Sequence, residues 1–158
     1  MPMKTLIQSL LLFFLFISFT ASSSIDENEK FLSFLEKEWQ WELAQNPVYA
    51  TAMGVKGFET QWRDDSLKAI KLREAYIRDS FTELKKFDSN SLNKTNQLNL
   101  KLYTQLTQKD LRITEYNRYL LPFNHRGGVQ LAHEDVESLP LKTAEDYRFW
   151  IERLKSLD

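Results

Sequence analysis

The chain has 158 residues, 42% of them apolar and 27% charged, which suits one modest soluble core and at most one domain. Lys and Arg number 21 against 22 Asp and Glu, and the resulting formal charge of −1 lacks the basic excess of a nucleic-acid binder. The absence of cysteine excludes a disulfide scaffold, a thiol nucleophile, a cysteine zinc knuckle and an iron–sulfur cluster, and four glycines with four prolines are too few for a collagen-like, linker-like or turn-rich all-β chain.

The N-terminus carries one charge, Lys4, and then none until Asp26. Between them residues 10–17 are continuously apolar, and small residues follow at Ala21, Ser22, Ser23 and Ser24. This is the layout of a secretory signal peptide, with Ala21 and Ser23 suited to the −3 and −1 pockets and cleavage expected after Ser23. Its apolar core, residues 6–19, is 14 residues long. That is short of the ~20 a helix needs to cross a bilayer, which favours a cleaved leader over a membrane anchor. Residues 1–23 are therefore read as a signal peptide and 24–158 as an exported, periplasmic or extracellular helical region. Membrane association would come only through an uncleaved leader.

The spacing predicts a first helix over about 25–45, opened by a capping box of Ser24 and Glu27. Phe31, Leu35, Trp39 and Leu43 step by four with Leu32 beside them. Phe34 and Trp41 widen the apolar face beyond that of a helix with one partner. Asn46-Pro47 starts a short helix, because proline at the first helical position loses no hydrogen bond, and Gly54 stops it. Residues 55–65 read as a loop. A third helix is expected over about 66–87 from Leu67, Ile70, Ile77, Phe81 and Leu84, with Glu74 where an apolar residue would fit. Asp64 and Asp65 precede it, where negative charge suits the helix dipole.

A fourth helix begins near Asn93, carried by Leu98, Leu102 and Leu106 with Tyr103, and extends to Tyr116 or Tyr119. From 120 to 142 the helical period disappears, and the apolar content of this stretch indicates a long ordered loop. Thr143, with Asp146 three residues on, caps a last helix bearing Tyr147, Trp150, Ile151 and Leu154. The resulting expectation is an all-α fold of antiparallel helices with one long ordered loop. The wide first helix needs cover on more than one side, and no stop signal follows the last helix.

Metal ligands are scarce. Of the two histidines, His125 and His133, the second opens a His-Glu pair, but Glu137 stands where a His-Glu-x-x-His motif needs its second histidine. Neither a Gly-x-Ser-x-Gly elbow nor a phosphate-cradling glycine loop is present. Asp64-Asp65 and Lys85-Lys86 are read as helix-end charges, and Trp39, Trp41, Trp62 and Trp150 as core in preference to a ligand cleft. Asn93-Lys-Thr matches a glycosylation acceptor, relevant only in a host that modifies exported asparagines. The segment with chemical promise is Asn124-His125-Arg126-Gly127-Gly128. Paired glycines let backbone N–H groups approach an anion or peptide carboxylate, and Arg126 can fork onto it; the alternative is a tight connection whose glycines only supply positive φ. Asn124, Arg126, Gly127 and Gly128 are the candidate substrate-binding residues.

The run Trp39-Gln-Trp-Glu-Leu-Ala-Gln-Asn-Pro-Val-Tyr-Ala-Thr-Ala-Met-Gly54 resembles the opening of the bacterial family called domain of unknown function 885. Trp62-Arg-Asp-Asp, a helix ending near Phe87-Asp, the leucine-rich helix, Leu120-Leu-Pro-Phe-Asn-His-Arg-Gly-Gly and Thr143-Ala-Glu-Asp-Tyr with Arg153-Leu154 follow in the family's order. The resemblance covers the chain beyond its leader. It implies an exported, longer, largely helical protein similar to zinc metallopeptidases, with a His-Glu…Gly-His-His motif in its C-terminal half. That motif is absent here. The resemblance thus implies an incomplete part of a larger helical fold, which the wide first helix and the missing stop signal fit: an N-terminal, non-catalytic portion without catalytic or metal residues of its own, which supplies part of a peptide or amide substrate cleft. Its partner would be the missing C-terminal catalytic part, and zinc belongs to the full-length protein. The alternative is an exported, non-catalytic helical binding module.

Overall fold

The computed structural model describes residues 26–121 and 128–157; the leader and its cleavage site lie outside them. Within the described residues all regular structure is helical, as the sequence predicts: five α-helices and three 3₁₀ helices. Helix α1 (Glu27–Gln45) starts behind Asp26, with Glu27 and Glu29 in the first turn, where carboxylates offset the positive end of the helix dipole. Asp26 therefore takes the capping position that the sequence assigns to Ser24. Helix α2 (Pro47–Ala52) begins on its proline and is followed by Gly54 at φ +77°, a left-handed turn that glycine adopts without penalty. Ser66 opens α3 (Leu67–Leu84) by accepting the Ala69 N–H, and Asn93 opens α4 (Lys94–Thr114) by accepting that of Asn96. Helix α5 (Ala144–Lys155) carries the predicted Thr143–Asp146 capping box in full.

Helices α3 and α4 form an antiparallel hairpin. Lys71 near the start of α3 lies over the ring of Tyr119 beyond the end of α4, while Leu84 at its other end packs with Leu92 and Leu100. Helix α1 lies against both. Phe31 and Phe34 join Leu84, Leu92 and Leu100 in the apolar core, closed by edge-on contacts with Phe87 and Tyr103. One and a half turns along α1 the interface becomes polar. Glu38 is buried and takes hydrogen bonds from Ser80 (2.7 Å) and Tyr76 (2.9 Å) of α3 and from Tyr103 (2.9 Å) of α4. Trp41, one turn further on, stacks flat on the Tyr76 ring at 3.9 Å and 3°. A buried carboxylate is tolerable only when its lone pairs are filled, and here three hydroxyls from two helices fill them.

The sequence places the apolar stripes correctly on helices but not always on the inner face. On α4 the buried residues are Asn96, Leu100 and Thr107, while Leu98, Leu102 and Leu106 are about half exposed. Leu98 and Leu102 stand two residues from the inner Leu100, about 200° around a helix of 3.6 residues per turn, and Leu106 stands one residue, about 100°, from the inner Thr107, so the stripe lies off the inner face. On α3 the inner residues are Arg73, Ser80 and Leu84, with Leu67 turned outward. On α1 Glu38 is buried, and Trp39 stays exposed against Tyr49. Helix α4 ends at Thr114, and left-handed Asn117 breaks the chain before a short 3₁₀ turn, Arg118–Leu120. The expected long loop is in part ordered helix: Val129–Ser138 forms a 3₁₀ helix of ten residues, against the three or four usual for that conformation.

Removing one donor from Glu38 tests the polar junction. Tyr103→Phe is expected to cost about 1–3 kcal/mol, the penalty for an unsatisfied buried acceptor, measured by urea denaturation; a change within error would mean that Glu38 does not depend on it. The same junction fixes the alkaline limit. Burial, reinforced by the Glu38 carboxylate, pushes both the Tyr76 and Tyr103 phenols above their ordinary value of 10.0. The unfolded chain then releases these protons near pH 10 while the folded chain keeps them. Their contribution is therefore full below about pH 10 and falls as pH rises beyond it. Melting temperature recorded between about pH 8 and 11 should drop at the alkaline end, and less steeply in Tyr103→Phe.

Candidate functional site

A cleft of about 1380 Å³ opens between the end of α1, the inner half of α3, the end of α4 and the 129–138 helix. Trp41 and Trp62 present aromatic surface to it, and Ile70 and Ile77 line it one and three turns into α3. These apolar walls carry charged groups of both signs.

Arginines gather where the 62–66 connection enters α3. Arg73 is buried and donates from Nη1 to the Asp64 carbonyl (2.6 Å) and from Nη2 to Asp65 Oδ1 (2.9 Å). The Nε of Arg63 reaches the same Asp65 oxygen at 3.1 Å, and its Nη1 donates to Asn46 Oδ1 at 3.2 Å. Asp64 turns its own carboxylate to the Ser66 N–H at 2.9 Å, which holds that carboxyl below its ordinary value. Burial pulls the Arg73 guanidinium below its usual range and Arg63 adds to the fall, with Asp65 and Asp64 opposing it. Both guanidiniums share one carboxylate oxygen, so the pair is incompletely neutralised.

Behind the cleft wall lies a second buried cation. Arg153 of α5 has no exposed surface, and its Nη2 donates to Thr51 Oγ1 (2.7 Å) and to the Phe58 carbonyl. The rings of Trp62 and Trp150 lie 5.8 and 5.9 Å from its guanidinium carbon, and Trp62 Nε1 donates to the Arg153 carbonyl at 2.6 Å. The guanidinium replaces water with indole faces, which attract it through their quadrupoles. Its Nε and Nη1 have no hydrogen-bond partner among the described residues. Asp135 on the 129–138 helix lines the cleft, and its carboxyl is pushed up by burial while Arg153 holds it down. Trp62 thus ties the cleft surface to α5 by both its ring and its N–H.

Of the sequence-derived candidates, Gly128 lies on the cleft wall at φ +129°, a conformation that favours glycine. Asn124, Arg126 and Gly127 lie outside the described residues, as does His125. His133 is exposed on the 129–138 helix, and the described residues contain no group of three or more His, Cys, Asp or Glu side chains able to hold a metal ion. Asn93 of the glycosylation-like triplet serves as the cap of α4 and donates its backbone N–H to Asn28. Trp150 is core, as expected, but Trp41 and Trp62 reach the cleft. Sequence reasoning passed over Arg63, Arg73 and Arg153. The signal was present: Arg73 stands between Ile70 and Ile77 at helical spacing, and Arg153 three residues after Trp150, so each interrupts an apolar face. Among the described residues no helix is long and apolar enough to cross a membrane.

No curated protein and no solved structure matches the chain. Residues 47–158, from the start of α2 through α5, match the family described as bacterial protein of unknown function (DUF885), and the chain belongs to that family.

Proposed function

We propose that this chain is the N-terminal, non-catalytic portion of an exported, zinc-metallopeptidase-like hydrolase and supplies one wall of its peptide or amide substrate cleft. The observation that carries this reading is the cleft itself, with indole and isoleucine surface beside an arginine pair and Gly128 on its wall. An extended peptide presents alternating apolar side chains and polar backbone groups, and a mixed wall of this kind complements both. Asn124, Arg126, Gly127 and Gly128 are assigned to substrate binding, with Arg126 forking onto an anionic group and the glycines giving it room to approach the backbone.

Export rests on the leader-like pattern of residues 1–23. The exposed stripe of Leu98, Leu102 and Leu106 is the face assigned to the C-terminal catalytic part, because a half-exposed row of leucines gains by being covered. Zinc, where bound, polarises a carbonyl and activates water. The described residues do not fit a zinc site, so the ligands are assigned to that C-terminal part and no chemical step is assigned to this chain.

The test uses the full-length gene product. It should contain zinc and cleave peptides, and Arg126→Ala should lower kcat/KM about tenfold, the value of one charge-assisted hydrogen bond, with the melting temperature unchanged. Unchanged kinetics would remove the 124–128 segment from the site. A protein without zinc or cleavage that still binds peptide would favour the helical binding module instead.

A further inference from the structure

The arginine pair beside α3 poses a problem of charge. Arg73 is buried, with 9% of its side chain exposed, and a buried guanidinium left without compensating partners is strongly destabilising. The partner present is Asp65, whose side chain is 69% exposed and whose Oδ1 serves Arg63 and Arg73 together. Two guanidiniums therefore contact one carboxylate, the most solvent-accessible of the three side chains, while the Asp64 carboxylate adds a weaker pull on Arg73. An incoming carboxylate that binds the same two guanidiniums with both oxygens replaces the Asp65 contact with charge-assisted bonds of the same kind.

From this geometry we propose that Arg63 and Arg73 form a carboxylate-binding subsite of the cleft, occupied in the free protein by Asp65 and in the complex by the free C-terminal carboxylate of a peptide. The inference rests on the reading of the cleft as a peptide site and specifies which end of the peptide it holds. The surroundings suit that end: Trp62 and Ile70 flank the pair on the cleft wall and offer apolar surface to the last side chains. Acidic groups line the cleft from several elements, Glu42 on α1, Glu74 on α3, Asp110 on α4 and Glu134, Asp135 and Glu137 on the 129–138 helix, so the arginine pair is the feature of the wall that selects a carboxylate. Asp65 acts as an internal competitor: it keeps the arginines neutralised and the subsite closed to weaker anions until a carboxylate with additional cleft contacts displaces it.

The full chain can be titrated calorimetrically with acetyl-trialanine bearing a free carboxylate and with its C-terminal amide. The acid should bind at least tenfold more tightly than the amide, and Arg63→Gln should abolish the difference. Arg63→Lys, which retains the charge but not the fork, should restore only part of it. Asp65→Asn discriminates the proposal from a merely structural ion pair. Removing the competitor should raise affinity for the acid severalfold and leave the amide unaffected, whereas a structural pair would show a lower melting temperature and no gain in affinity. Equal binding of acid and amide would overturn the subsite and leave the peptide cleft standing. Binding of neither would overturn both. An affinity for the acid that falls in Asp65→Asn would also overturn it.

Discussion

The arrangement of the three long helices depends on burying one carboxylate. Glu38 makes no ion pair among the described residues, and its carboxylate is held by the hydroxyls of Ser80, Tyr76 and Tyr103. Hydroxyl donors are directional, so α3 and α4 must stand at particular heights against α1 for all three bonds to form at once. Apolar contacts among Phe31, Phe34, Leu84, Leu92 and Leu100 draw the helices together but tolerate sliding, because dispersion and burial have little directional preference. The carboxylate turns that tolerance into one register. It also sets the position of Tyr76, on which Trp41 stacks, and Trp41 is part of the cleft wall. The shape of the cleft thus follows from a polar contact on the far side of a single tyrosine ring.

Arg153 plays the corresponding part for the remainder of the chain, with the opposite sign. It gathers Thr51 from α2, the Phe58 carbonyl from the following connection, and Trp62 and Trp150 around one guanidinium. The two buried charges do not meet. Each is satisfied mainly by neutral groups, and each organises a different set of elements that border the same cleft. The cleft lies where two separately specified assemblies adjoin, which is a common setting for ligand sites. The cost is visible at Arg153, where two N–H groups lack acceptors among the described residues. The cleft-facing Asp135 feels this cation, which opposes the upward push that burial gives its carboxyl.

Helix positions and caps were legible in the sequence because they depend on neighbours three or four residues away. Pro47, Gly54, Ser66, Asn93 and the Thr143–Asp146 pair act locally, and each stands at or beside the boundary its chemistry predicts. Facing was less legible. Leucine at every fourth position of α4 looks like an inner stripe, yet the inner face carries Asn96, Leu100, Tyr103 and Thr107, because α1 offers Glu38 and Asn28 as well as phenylalanine. No property of α4 alone reveals that its partner presents polar groups. The site suffered from the same blindness. Arg73 and Arg153 are charged residues on apolar faces, and only the fold shows which neutral or acidic groups meet them. The positive φ of Gly128 was legible because it is a local need; the buried arginines were not, because their surroundings are tertiary.

The outward leucines of α4 and the inward polar groups of the same helix are two sides of one allocation. The chain spends hydroxyls, a carboxylate and two arginines on its interior, where directional bonds fix register, and leaves Leu98, Leu102 and Leu106 half exposed. A self-sufficient bundle would gain by the reverse, since buried leucine contributes about 1.5–3 kcal/mol while a satisfied buried ion roughly breaks even. The present allocation makes physical sense when the priority is the exact placement of a cleft wall and when a further layer covers the leucine face, which is the role proposed for the C-terminal catalytic part. Within that arrangement the polar interior holds the wall still, and the apolar exterior supplies the adhesion.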